Sequence, residues 1–96
     1  MNFGTHTHLR IAGYQKRGTT TNSADRVEMG VDVFQGTEQM GGGLTAGPLR
    51  DMNDYFTILL PKNSTYELRY SDAAGNAKRQ TVTLGDEPLT VAIYKE

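Results

Sequence analysis

Two histidines one residue apart stand near the start of the chain, in His6-Thr7-His8. On an extended strand, residues i and i+2 project from the same face, roughly 7 Å apart. Two imidazoles at that separation can converge on one ion, and neutral imidazole suits copper, nickel and zinc. A complete site needs further ligands. Met29, Met40 and Met52 would supply soft thioethers that favour Cu(I), and a nearby carboxylate is the other source. Met29 falls on a predicted core face, where packing already accounts for it. The plainer alternative is two polar side chains on the solvent side of a terminal strand.

Other clusters carry less chemistry. Asp51-Met52-Asn53-Asp54 offers oxygen ligands at a spacing that could hold calcium. It lacks the central glycine and the distal glutamate of an EF-hand loop, and reads as an Asx turn. Gly41-Gly42-Gly43 has amides able to meet phosphate, but no lysine follows and no helix begins there. The three serines, Ser23, Ser64 and Ser71, lie in predicted loops, with only His6 or His8 to act as base and no nucleophile elbow. Asp86-Glu87 sits in an exposed turn, where nothing would raise one carboxyl pKa for acid catalysis. Asn63-Ser64-Thr65 matches the glycosylation sequon, which matters only on a eukaryotic secretory route. Lys16-Arg17 and Lys78-Arg79 read as solvated basic pairs, and Tyr66 and Tyr70 as core residues rather than a base-stacking platform. The expectation is a protein that is not an enzyme.

Composition narrows the classes further. Ten basic residues nearly cancel eleven acidic ones, for a net charge of −1, so there is no clustered positive charge for nucleic acid or an anionic membrane. No cysteine is present, which excludes a disulfide framework, a thiolate zinc site and a cysteine nucleophile. The longest apolar block, Tyr55–Leu60, is far too short to span a bilayer as a helix. The first residues have neither a basic start nor an apolar core, so a signal peptide is not expected there. Either the protein is cytoplasmic, or Met1 was added at a mature or domain boundary. At 96 residues the chain is expected to form a single domain over 1–96.

The elements that must carry these residues alternate with a period of two. Thr5, Thr7, Leu9 and Ile11 share one face, with His6, His8 and Arg10 on the other. Gln15–Asp25 reads as a long exposed loop. Val27, Met29, Val31 and Val33 then form an apolar stripe opposed by Arg26, Glu28, Gly30 and Asp32 on the solvent side. Gly36–Gly43 is expected to be a mobile connection unable to hold a strand, and Leu44–Arg50 a short edge strand. Tyr55–Leu60 reads as a central strand broken by Pro61. Tyr66, Leu68 and Tyr70 mark the next strand, Ser71–Asn76 a hairpin loop, and Ala77–Leu84 the return, with Val82 and Leu84 inward. After the Gly85–Pro88 turn, Leu89, Val91 and Ile93 mark the last. Six to seven short strands without an intervening helix predict an all-β, antiparallel sandwich of Ig-like or transthyretin-like form.

Three segments in order resemble the CueP-type periplasmic copper-binding proteins: Gly4-Thr5-His6-Thr7-His8-Leu9, Tyr55-Phe56-Thr57-Ile58-Leu59-Leu60-Pro61 and Asp86-Glu87-Pro88-Leu89-Thr90-Val91. The resemblance implies a periplasmic or secreted β-sandwich with copper at His6 and His8. The family's cysteines have no counterpart beside His6, around Ala12-Gly13 or in the final strand, so its thiolate Cu(I) site is missing. More broadly, the Leu60–Tyr66 stretch is similar to carboxypeptidase-regulatory and transthyretin-like modules, and Ser71–Asn76 to bacterial Ig-like repeats. These imply a sandwich without a defined activity.

Two functions of different class follow. The first is an extracytoplasmic protein that sequesters or hands over a metal ion, copper or zinc, through the neutral imidazoles of His6 and His8. The second is a non-catalytic interaction or accessory module whose edge strand or loops, Gly36–Gly43 and Gln15–Asp25, contact an envelope protein or a glycan.

Overall fold

The computed structural model describes residues 4–15, 26–45 and 55–96. Seven strands follow in order: β1 (His6–Tyr14), β2 (Gly30–Gln35), β3 (Glu38–Leu44), β4 (Phe56–Pro61), β5 (Ser64–Ser71), β6 (Ala77–Leu84) and β7 (Leu89–Tyr94). They form two sheets, ordered β4-β1-β7 and β3-β2-β5-β6. No helix occurs among the described residues. The fold is the all-β sandwich the alternation predicts, with one departure from a purely antiparallel arrangement. β7 lies parallel to β1, Leu9 opposite Leu89 and Tyr14 opposite Tyr94, while every other strand pair is antiparallel.

The period-two pattern explains the core. Leu9 and Ile11 from β1, Leu60 from β4 and Ile93 from β7 are buried against Val31 and Val33 of β2, Tyr66 and Leu68 of β5, and Val82 and Leu84 of β6. Each apolar side chain of this size contributes about 1.5–3 kcal/mol when taken out of water, and these contacts hold the two layers together. The Tyr66 hydroxyl escapes the desolvation cost by donating to the Pro61 carbonyl at 2.8 Å.

Several local expectations give way to tertiary structure. Gly36–Gly43 does not behave as a mobile connection, since Glu38–Leu44 is strand β3, paired along β2 with a bulge at Val33/Phe34. The glycines serve the packing: Gly41 and Gly43 lie opposite Val33 and Val31, and a Cβ there would stand 2.5 Å from Ile58 Cδ1 and 2.6 Å from Phe56 Cε1. Across the sandwich, Ile58 and Phe56 fill the space that side chains on β3 would need. The Tyr55–Leu60 run becomes β4, an edge strand rather than a central one. Its continuous apolar character reflects Leu59, which points outward and remains 43% exposed, and Pro61 ends the strand at an edge that tolerates a missing N–H.

Arg26 is not on a solvent face. It is 2% exposed, with its guanidinium 4.7 Å from the Tyr55 ring centre and 5.7 Å from that of Tyr14. The aromatic faces offset part of the cost of burying that charge. Val27–Met29 does not extend β2, because its backbone bonds elsewhere: Val27 N–H to the Gly13 carbonyl, and Met29 N–H to the Thr45 hydroxyl. Ser64 and Ser71 are the end residues of β5 rather than loop residues. Leu44 closes β3. Residues 16–25, 46–50 and 51–54, which include the predicted long loop, most of the Leu44–Arg50 segment, the Asp51–Asp54 turn and Met52, lie outside the described residues.

Candidate functional site

The histidines sit where the alternation places them. β1 turns Thr7, Leu9 and Ile11 into the core and leaves His6, His8 and Arg10 half-buried on the outer face of the three-stranded sheet. His6 lies opposite Pro61 and His8 opposite Leu59 on β4, so their cross-strand neighbours offer no ligand atom from a side chain. Arg10, next along the face, brings a positive charge that disfavours a cation nearby. His6 Nδ1 lies 2.7 Å from the Thr5 hydroxyl oxygen. If Nδ1–H donates to that oxygen, the Nε2 lone pair is left to coordinate, the usual division of labour in a metal-binding imidazole. Met29 is 4% exposed inside the core, and Met40 is partly buried against it, so neither thioether joins the histidines. Among the described residues no group of three or more His, Cys, Asp or Glu is arranged to hold a metal ion.

A second feature was not signalled by any motif. β2 and β5 pair through only three positions, Asp32 with Arg69, Val33 with Leu68 and Phe34 with Glu67. Beyond Asp32 the two strands part, and a groove of about 550 Å³ opens between Glu28–Asp32 on one side and Arg69–Asp72 on the other. Glu28, Asp32, Arg69, Asp72 and Lys95 line it, and the core residues Met29 and Val31, 4% and 2% exposed, lie against it.

The groove is held open by bonds on its far sides. The Thr45 hydroxyl accepts from Met29 N–H at 2.9 Å and donates to the Val27 carbonyl at 2.8 Å, and Thr45 N–H bonds the Met29 carbonyl at 2.9 Å. These contacts bind the approach to β2 to the end of β3, away from β5. Gly13 makes room for the latch, since a Cβ there would lie 2.6 Å from Thr45 Oγ1. On the other wall, the Asp72 carboxylate accepts from the backbone N–H groups of Asn76, at 2.8 Å, and Ala74, at 3.0 Å. The Asn76 N–H leads the contacts that hold the Asp72 pKa below its ordinary value, against a smaller opposing effect of burial. Ala73 N–H reaches the Lys95 carbonyl at 2.6 Å, and Lys95 N–H the Tyr14 carbonyl at 2.9 Å, tying this wall to the far sheet.

The charge around the groove is biased. Arg69 is committed to Glu67, 2.6 Å from its Nε, and stacks over the Phe34 ring at 3.8 Å. Asp72 is likewise engaged, by the Ala74 and Asn76 N–H groups and by Lys78 at 3.8 Å, which leaves Glu28 and Asp32 against Lys95 among the groove's charges. A slot between two strands that stop pairing, with Glu28 and Asp32 in its lining, suits an extended segment carrying cationic side chains. No family model matches this chain, and a comparison with curated proteins finds no match.

Proposed function

We propose that this protein is a non-catalytic β-sandwich module that binds an extended, basic segment of a partner protein in the groove between β2 and β5. The observation that carries this reading is the parting of the two strands after the Asp32–Arg69 pair, with Glu28 and Asp32 lining the groove beside it. Diverging strand edges offer main-chain groups to an incoming chain, and Glu28 and Asp32 favour lysine or arginine on it. An envelope setting, as the CueP resemblance implies, belongs to the same proposal. The test is an NMR titration with a synthetic peptide of alternating lysine and valine. Expected are shifts at Gly30, Val31, Tyr70 and Ser71, with affinity falling several-fold in Glu28→Gln/Asp32→Asn as two charge contacts are lost. Shifts confined to other surfaces, or none at millimolar peptide, would overturn it.

A second reading is favoured by the shared outer face of His6 and His8 and by the Thr5 contact to His6 Nδ1. There the pair holds copper or zinc weakly, with water completing the coordination. Copper binding followed by its visible absorption tests it. Micromolar affinity that persists in His6→Ala/His8→Ala removes the histidines from the site.

A further inference from the structure

The edges of the two sheets are unequally protected. β3 is interrupted by a bulge, β4 ends in Pro61, and β7 is six residues long. β6 differs from all three. It runs eight residues in unbroken register with β5, from Ala77 opposite Ser71 to Leu84 opposite Ser64, with neither bulge nor proline. Among the described residues no strand pairs with its other edge. Such an edge is a template for a further strand, and natural proteins usually blunt it.

The charge along β6 says what fits there. Lys78 and Arg79 stand exposed at its beginning, and the exposed turn just beyond its end carries Asp86 and Glu87. Their present ionic contacts are long, 3.8 Å from Lys78 to Asp72 and 3.9 Å from Arg79 to Glu67. Contacts of that length on exposed side chains hold little energy and yield readily to better partners. A strand that is basic at its start and followed by an acidic turn is complementary in charge to its own reverse.

We propose that β6 is the surface through which two copies of this chain associate, antiparallel about a two-fold axis at Val82. This extends each four-stranded sheet into one of eight strands and stands independently of the groove. In that register, residues directly opposite share a face, as strand pairing requires. Thr81 of each copy meets Thr83 of the other on the outer face, a cross-strand pairing like the 3.3 Å Thr65–Thr83 contact already present within the chain. Lys78 and Arg79 of each copy then come beside the turn that carries Asp86 and Glu87 in the other. The two-fold axis makes each of these contacts twice. Parallel pairing would instead set the basic residues of both copies side by side.

Sedimentation equilibrium of the full chain, from micromolar to millimolar, tests the proposal. The weight-average mass is expected to climb from 10.6 kDa towards twice that value, and to climb less in high salt, where ionic contacts are screened. Lys78→Glu/Arg79→Glu and, separately, Asp86→Lys/Glu87→Lys should each weaken association by about tenfold, since four surface ion pairs turn repulsive. Combining both reversals in one chain should restore it. Circular dichroism confirms that the variants keep their sheet content, and Glu28→Gln/Asp32→Asn should leave the mass unchanged. A chain that stays monomeric at every concentration, or a dimer indifferent to both charge reversals, overturns the inference.

Discussion

Replacing Thr45 by valine tests how the groove is built. Thr45 is 1% exposed, and its hydroxyl makes two bonds: it accepts from Met29 N–H and donates to the Val27 carbonyl. Valine keeps the volume and the β-branched shape but removes both bonds, leaving a buried donor and a buried acceptor unsatisfied. Each such group costs about 1–3 kcal/mol, and some relaxation is expected, so the variant should lose about 2–4 kcal/mol. For a domain of this size that lowers the melting temperature by roughly 10–25 °C. Thr45→Ser retains the hydroxyl and sheds one methyl, and should lose only about 1 kcal/mol. Urea unfolding of the three proteins, read by tyrosine fluorescence, gives the comparison. Freed from Thr45, Met29 N–H should also exchange faster with solvent than in the parent. Equal stability of the valine and serine variants would refute the latch and, with it, the account of why β2 leans away from β5.

Further outcomes follow from the same geometry. Gly43→Ala places a methyl 2.6 Å from the Phe56 ring and should cost about 1–3 kcal/mol, with much of that recovered in a Phe56→Leu background, as measured by a double-mutant cycle. Asp72 is bound more tightly as the carboxylate than as the acid, because backbone N–H groups donate to it and hold its pKa below the ordinary 3.8. Its contribution to stability is therefore complete above that ordinary value and fades as pH falls through the lower folded-state value. The stability difference between parent and Asp72→Asn should stay level from neutral pH to about pH 5 and shrink below pH 4 in urea titrations. Leu68→Ala, at a fully buried site, should lose about 2–5 kcal/mol and lower the melting point accordingly. By contrast His6→Ala/His8→Ala, on the outer face, should change stability by no more than about 0.5 kcal/mol. A large loss there would mean that the histidines serve the fold rather than a ligand.

Much of the fold was legible in the chain because alternation is a local property. Thr7, Leu9 and Ile11 against His6, His8 and Arg10 already specify which face of β1 is buried, whatever strand lies beside it. The same rule placed Tyr66, Leu68, Val82, Leu84 and Ile93 in the core. It failed where a residue's partner is remote. Gly41 and Gly43 have no strand propensity of their own, and only Ile58 and Phe56 from the opposite sheet make glycine the residue that fits. Arg26 looked like solvent-facing punctuation until Tyr14 and Tyr55 were brought around it. No helix among the described residues is long and apolar enough to cross a membrane, in keeping with the absence of a long apolar run.

What the sequence determined by itself was the class of fold, the inward and outward sides of its strands, and the common direction of His6 and His8. Each of these depends on neighbours one or two residues away. Tertiary structure alone decided that β7 runs parallel beside β1, that β4 and β6 are edges, and that β2 and β5 separate after three pairs. Those outcomes depend on which strands meet across long stretches of chain, and on latches such as Thr45 whose two partners lie 16 and 18 residues away. A groove formed by strands that fail to stay together has no local pattern to announce it.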